Sequence, residues 1–213
     1  MNITVAGEPV VMLPQRALFV PSLRTVLVAD IHWGKAAAFR AAHIPIPSGT
    51  TASDLARLSD VLHTTQAEQL IVLGDLLHAR AGRHAAVLHA IAAWRVAHAH
   101  VRMQLVRGNH DRGAGDPPDS LDITCVDAPF VLGPFACAHY PEPSVVGYVL
   151  AGHVHPHVSL RGRGHQSMRL PCFALGERVG VLPAFSSFTG GGMYVQTPSD
   201  RIFAIADDQV IAV

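Results

Sequence analysis

The chain has 213 residues, enough to bury one well-filled core, and its 49% apolar against 15% charged residues exclude long disordered segments. A formal net charge of +0 argues against broad non-specific affinity for polyanions, which comes from an excess of Lys and Arg. No apolar run is long enough for a membrane span, and Glu8 interrupts the stretch where a secretory signal would be apolar, so the reading is a single cytoplasmic domain over residues 1–213.

Pro9 to Leu13, Ala17 to Val20 and Thr25 to Ala29 are short apolar runs separated by Pro14 and Pro21-Ser22, which predicts three successive strands. The third does not alternate, as expected for a strand covered on both faces, and stops at Asp30-Ile31-His32. After a Pro45 and Pro47 loop, Leu55, Leu58, Val61 and Leu62 recur at helical spacing, with Ser48, Thr50 and Thr51 as candidate N-caps. Gln69 to Leu73 is a second buried strand, running into Gly74-Asp75, and a helix with Val87, Ile91 and Trp94 on one stripe follows. A third strand, Val101 to Val106, ends in Gly108-Asn109-His110-Asp111. Strand, helix, strand, helix, strand implies right-handed crossovers and a mainly parallel sheet with its polar residues at the carboxyl ends. Phe135 to Ala138 ending at His139, and Tyr148 to Ala151 ending at Gly152-His153-Val154-His155, obey the same rule. Beyond His157 the helical period disappears, and the runs at 172–175, 179–182, 202–205 and 210–213 predict a second, largely antiparallel sheet. Asp116-Pro117-Pro118-Asp119 reads as a mobile surface loop.

Asp30, His32, Asp75, Asn109, His139, His153 and His155 are thereby collected near strand ends, all oxygen or nitrogen donors. Asp75 can bridge two cations because a carboxylate has two oxygens, and the other six leave three donors per ion. Such a mixed set suits two divalent metal ions, Mn first, with Fe or Zn as alternatives, and two-metal sites serve phosphoryl transfer. Cys125, Cys137 and Cys172 lack metal-ligand spacing and read as buried thiols.

Asp-x-His, Gly-Asp, Gly-Asn-His-Asp, a lone His and Gly-His-x-His, in this order over residues 25–157, resemble the calcineurin-like metallophosphoesterases. The resemblance implies an α/β fold, a four-layer α-β-β-α sandwich of two mixed sheets flanked by helices, with a binuclear metal centre and phosphoester hydrolysis. It implies that Asp30, His32, Asp75 and His155 hold one ion and Asp75, Asn109, His139 and His153 the other. It further implies that His110 protonates the leaving oxygen, with Asp111 orienting it. The Asp30 to Lys35 segment, Phe39-Arg40, the Ile44 to Thr51 segment, Leu182 to Phe185 and Gly190 to Gly192 are similar to the bacterial ligase-associated DNA damage response endonucleases. Trp33 and Tyr140 depart from that branch's pattern. The branch implies DNA or RNA as substrate and helicase and ligase partners in DNA repair.

Lys35, Arg40, His78 and Arg112 stand near the motifs and are candidates for substrate contact, with solvated surface positions as the plain alternative. Arg107 shares both readings. His84, His89, His98 and His100 read as solvated helix positions, and Gly190 to Gly192 as a turn. The expected function is a binuclear metal-dependent phosphodiesterase, a nuclease. A hydrolase of small nucleotide or pyrophosphate-linked metabolites is one alternative, and a non-catalytic interaction module on the same fold is another.

Overall fold

The computed structural model describes residues 1–46, 49–162 and 166–213. Strands β1 (Asn2–Val5), β2 (Glu8–Leu13), β3 (Ala17–Val20) and β4 (Thr25–Val28) form an antiparallel meander. Helices α1 (Lys35–Ala41) and α2 (Thr50–Thr65) lead to β5 (Gln69–Leu73), and α3 (Ala85–Ala97) leads to β6 (Arg102–Val106). The short α4 (Asn109–Ala114) precedes β7 (Ile123–Val126). Strands β4 to β7 are parallel, so the first sheet is half meander and half parallel rather than mainly parallel. All four residues of β4 are buried, which is why its sequence does not alternate. Val26 and Val28, with Leu70 and Val72 of β5, pack against Leu55, Leu58 and Val61 of α2 and Ile91 and Trp94 of α3. Leu27, Ile71 and Leu73 point to the opposite side.

That opposite side is covered by a second mixed sheet. Its strands are β8 (Phe130–Leu132), β9 (Phe135–Cys137), β10 (Tyr148–Ala151), β11 (Pro156–Arg161), β12 (Ser167–Leu175), β13 (Val179–Val181), β14 (Gly192–Met193), β15 (Arg201–Ala206) and β16 (Gln209–Ala212). The order is β14-β11-β12-β13-β10-β9-β8, with β15 pairing β12 and β16. Phe135, Leu150, Phe173 and Phe203 share one core with Leu27, Ile71, Leu73 and Val106 of the first sheet. Strands β9 and β10 therefore belong to the second sheet and are not further strands of the first. A short apolar run reads the same on either sheet, and only its partners decide.

The two mixed sheets match the α/β sandwich expected, but the helices flank it unequally. Among the described residues every α-helix falls between β4 and β7. The outer face of the second sheet instead packs Cys172, Ala174, Val181 and Ile202 with partly buried Val154, Val158 and Tyr194. The reason lies in the connections. Parallel strands usually need a helical crossover, yet β9 reaches β10 through a loop, and β10 reaches β13 through the β11–β12 hairpin. Helix α2 is entered through Gly49, at φ 100 and without a side-chain bond, rather than through Thr50 or Thr51, because glycine alone takes that left-handed entry without cost. Ser48 and Pro47 lie outside the described residues. The Asp116 to Asp119 loop is anchored and not free: Arg107 donates to both Asp116 carboxylate oxygens at 2.8 and 2.7 Å, and Arg83 to the Asp116 carbonyl at 2.9 Å.

Candidate active site

Where β4, β5 and β10 end, the backbone turns into the left-handed region. Asp30, His32, Asp75, His153 and His155 have φ between 50 and 70°, five of the twelve non-glycine residues with positive φ among those described. Such conformations cost of order 1–3 kcal/mol each and persist where surrounding structure over-determines them. Here the loops continue the sheet's hydrogen bonding: Asp30 N–H donates to Gly74 O (3.2 Å), His32 N–H to Asp75 O (2.8 Å) and Trp33 N–H to Leu76 O (2.8 Å). Glycine before a functional residue is a matter of space. A Cβ on Gly74 would overlap the His139 ring, and one on Gly108 would overlap the Asp75 carboxylate and its peptide nitrogen.

Both sheets deliver donors to the same volume. From the first come Asp30, His32, Asp75 and Asn109, and from the second His139, His153 and His155. His155 Nε2 lies 3.6 Å from Asp30 Oδ1 and 3.4 Å from His32 Nε2. His139 Nε2 lies 3.5 Å from Asp75 Oδ1, 2.9 Å from Asn109 Oδ1 and 3.1 Å from His153 Nδ1. Two of the histidines have an acceptor for the outer nitrogen: His139 Nδ1 donates to Leu73 O at 3.1 Å, and His155 Nδ1 to Gly190 O at 3.0 Å. The inner Nε2 atoms are therefore lone pairs. A convergence of lone pairs without donors is unfavourable by itself, and Asp30 Oδ1 is buried with no hydrogen bond at all. Positive charge supplied from outside the chain resolves both, so the set fits divalent cations. Burial, with Lys35 nearby, drives the His32 pKa down to about 2, keeping the imidazole neutral as a ligand must be. Burial raises the Asp75 carboxyl. Burial also lowers His153, whereas for His155 the nearby negative charge of Asp30 outweighs burial and raises the pKa.

The nuclease MPE of Pseudomonas putida, a solved structure, is 45% identical to this chain over 100% of it and 99% of that protein, with a TM-score of 0.89. The chain belongs to the calcineurin-like metallophosphoesterases. A protein of unknown function from Aquifex aeolicus (18% identity, 66% of this chain and 82% of that one) and the phosphoesterase Yfce from E. coli (17%, 88% and 96%) both have a TM-score of 0.42, too low to add to the assignment. No protein-family model and no curated protein matches the chain.

In this metallophosphoesterase His110 and Asp111 are not hydrogen-bonded to each other through their side chains. The Asp111 carboxylate is buried and accepts from three backbone N–H groups: Asp75 at 2.7 Å, Gly108 at 2.9 Å and Leu77 at 3.1 Å. It ties the ends of β5 and β6 together and completes the first turn of α4. What orients His110 is the carbonyl of His78, which accepts from Nδ1 at 2.7 Å, while the His78 ring stacks on His110 at 4.8 Å between centroids. His110 Nε2 is left 3.9 Å from Asp75 Oδ2, beside a cleft of about 460 Å³ lined by His78, Arg80, Asn109, His110 and Gly113.

The other candidates separate. Lys35 opens α1, half-buried, with its ammonium 5.9 Å from the Phe188 ring, and burial lowers its pKa against the pull of Asp30 and Asp75. Arg40 is exposed in the last turn of α1. Arg112 is exposed and donates to Asp127 at 3.2 Å. His84 and His89 are exposed, but His98 stacks on Trp94 at 4.7 Å rather than being freely solvated. Sequence reasoning missed the Gly190 carbonyl, the Phe39–Phe188 contact at 5.8 Å and the His78 carbonyl. Backbone acceptors have no residue signature. The glycine triplet was the available signal, since a Cβ at Gly191 would overlap the His157 ring and one at Gly192 the Val154 carbonyl.

Proposed function

We propose that the chain is a two-cation phosphodiesterase that cleaves nucleic acid, DNA or RNA. The observation that carries this is the convergence of seven donors from two sheets around Asp75, with His110 fixed in one tautomer beside them. Asp30, His32, Asp75 and His155 would hold one ion, and Asp75, Asn109, His139 and His153 the other. Manganese suits the mixture of imidazole, carboxylate and amide without thiolate. When bound, such a pair supplies an activated water and offsets charge on the phosphoryl oxygens. The chain's own residues do the rest. The His78 carbonyl holds the proton on His110 Nδ1, which leaves Nε2 as the atom that exchanges a proton with the leaving oxygen. Lys35 adds a fixed positive charge near Asp30 and Asp75. That P. putida MPE is a nuclease supports the polymer substrate. A place in DNA repair beside a helicase and a ligase, in the cytoplasm, belongs to the same proposal, and no described helix is long and apolar enough to cross a membrane.

The test is hydrolysis of bis(p-nitrophenyl) phosphate and of single- and double-stranded oligonucleotides by manganese-loaded protein, with metal content measured alongside. His110→Ala is expected to lower kcat about 10²–10⁴-fold at unchanged metal content. Full occupancy without turnover of any of these substrates would end the proposal.

A further inference from the structure

We infer that Tyr140 is a substrate-contacting residue, the surface on which a base flanking the scissile phosphate stacks; this rests on the phosphodiesterase reading above. Tyr140 directly follows His139 in the loop between β9 and β10. Its ring lies 4.6 Å from His153 and 5.0 Å from His139, inclined at 61° and 69° to them. His139 is buried, yet Tyr140 remains 44% exposed. A large aromatic ring at the rim of a donor cluster, still open to solvent, leaves apolar area for a ligand to cover. Val145 and Val146 of the same loop are exposed as well.

The loop is built to hold the ring still. Pro141 and Pro143 restrict the backbone after it, Glu142 N–H donates to the Tyr140 carbonyl at 2.9 Å, and Arg178 donates to Ser144 O at 3.0 Å. A platform fixed before binding loses little entropy when a ligand arrives. The cleft beside His110 lies on the leaving-group side of the proposed chemistry, whereas Tyr140 stands over the His139 and His153 side. A phosphodiester seated between them carries one substituent toward each. Stacking suits the Tyr140 side because every base offers a π-face, so the contact adds affinity without demanding a sequence.

The experiment compares methyl p-nitrophenyl phosphate, which has no base, with the 5′- and 3′-p-nitrophenyl esters of thymidine monophosphate. Manganese-loaded wild type, Tyr140→Ala and Tyr140→Phe are assayed. Tyr140→Ala is expected to lose at least about fivefold in kcat/KM on one or both thymidine esters, through KM, the lower end of what a lost base stack costs. On the methyl ester it should stay within about twofold, and Tyr140→Phe should behave as wild type on all three. Equal losses on all three esters, no loss on any, or weakened manganese binding by Tyr140→Ala in calorimetric titration would each overturn the assignment, the last by showing that the ring only props His139 and His153. Wild type inactive on every ester at full occupancy would instead sink the phosphodiesterase reading itself.

Discussion

Replacing Asp111 separates a structural brace from a catalytic dyad. In Asp111→Ala three buried N–H groups, on Asp75, Leu77 and Gly108, lose their acceptor at once. Hydrogen bonds to a charged acceptor contribute about 1.5–3 kcal/mol each, so three at the low end predict a loss of about 4–5 kcal/mol. For a chain of this length that corresponds to a fall in Tm of about 8–20 °C. Asp111→Asn keeps one acceptor oxygen and should lose roughly half as much. Thermal unfolding followed by circular dichroism gives the stability, and kcat on a p-nitrophenyl diester across pH gives the chemistry. The expectation is a large stability loss with the shape of the pH profile unchanged, since nothing in the Asp111 carboxylate's bonding touches the His110 ring. If Asp111→Asn melted within about 1 kcal/mol of wild type while the acid limb of its kcat profile moved, the brace would be wrong and the dyad right.

Two further outcomes follow from burial and from space. In the folded protein His32 titrates near 2 and His78 near 4, both below the ordinary 6.5, chiefly through burial. Between these values the unfolded chain binds protons that the folded chain refuses, so stability of the metal-free protein should fall as pH drops below about 6.5. The slope from His32 alone approaches about 1.4 kcal/mol per pH unit, and urea titrations at several pH values should show a shallower acid loss in His32→Gln. Gly108→Ala should cost about 1–3 kcal/mol through overlap with Asp75 and His139 and weaken manganese binding in calorimetric titration. Gly7→Ala is the control: at φ +80 with nothing within 4 Å of the added Cβ, it should cost about 1–2 kcal/mol of backbone strain and leave manganese binding alone.

The donor set was legible in the sequence because buried strands announce themselves. An uninterrupted run such as Thr25–Val28 has no solvent face, so the first polar residue after it marks the strand's end and therefore the sheet's edge. Which sheet each run joins was not legible, since Phe135–Cys137 and Tyr148–Ala151 look alike whether they neighbour β7 or β13. The hydrogen bonds of Asp111 were not legible for a different reason. An acid beside a histidine suggests a pair, but neighbours in sequence at a helix start diverge in direction, and two of its three peptide partners lie far along the chain, at separations of 36 and 34 residues. Helix α1 was missed because it begins at Gly34 without a capping side chain and carries an alanine run with no apolar stripe to count.

The carbonyl of Gly190 that fixes His155 lies 35 residues downstream of it. Nearby, Phe185 N–H donates to Ala29 O at 2.7 Å, and Arg16 donates to Ser186 O at 2.9 Å. During synthesis, then, all seven donors are polymerised before the segment that aligns them. At about 5–20 residues per second the gap lasts roughly 2–7 seconds. A chain that stops within that interval holds a full complement of ligands without the segment that fixes their arrangement. Chains cut off before residue 184 are expected to carry the whole motif set and remain inert.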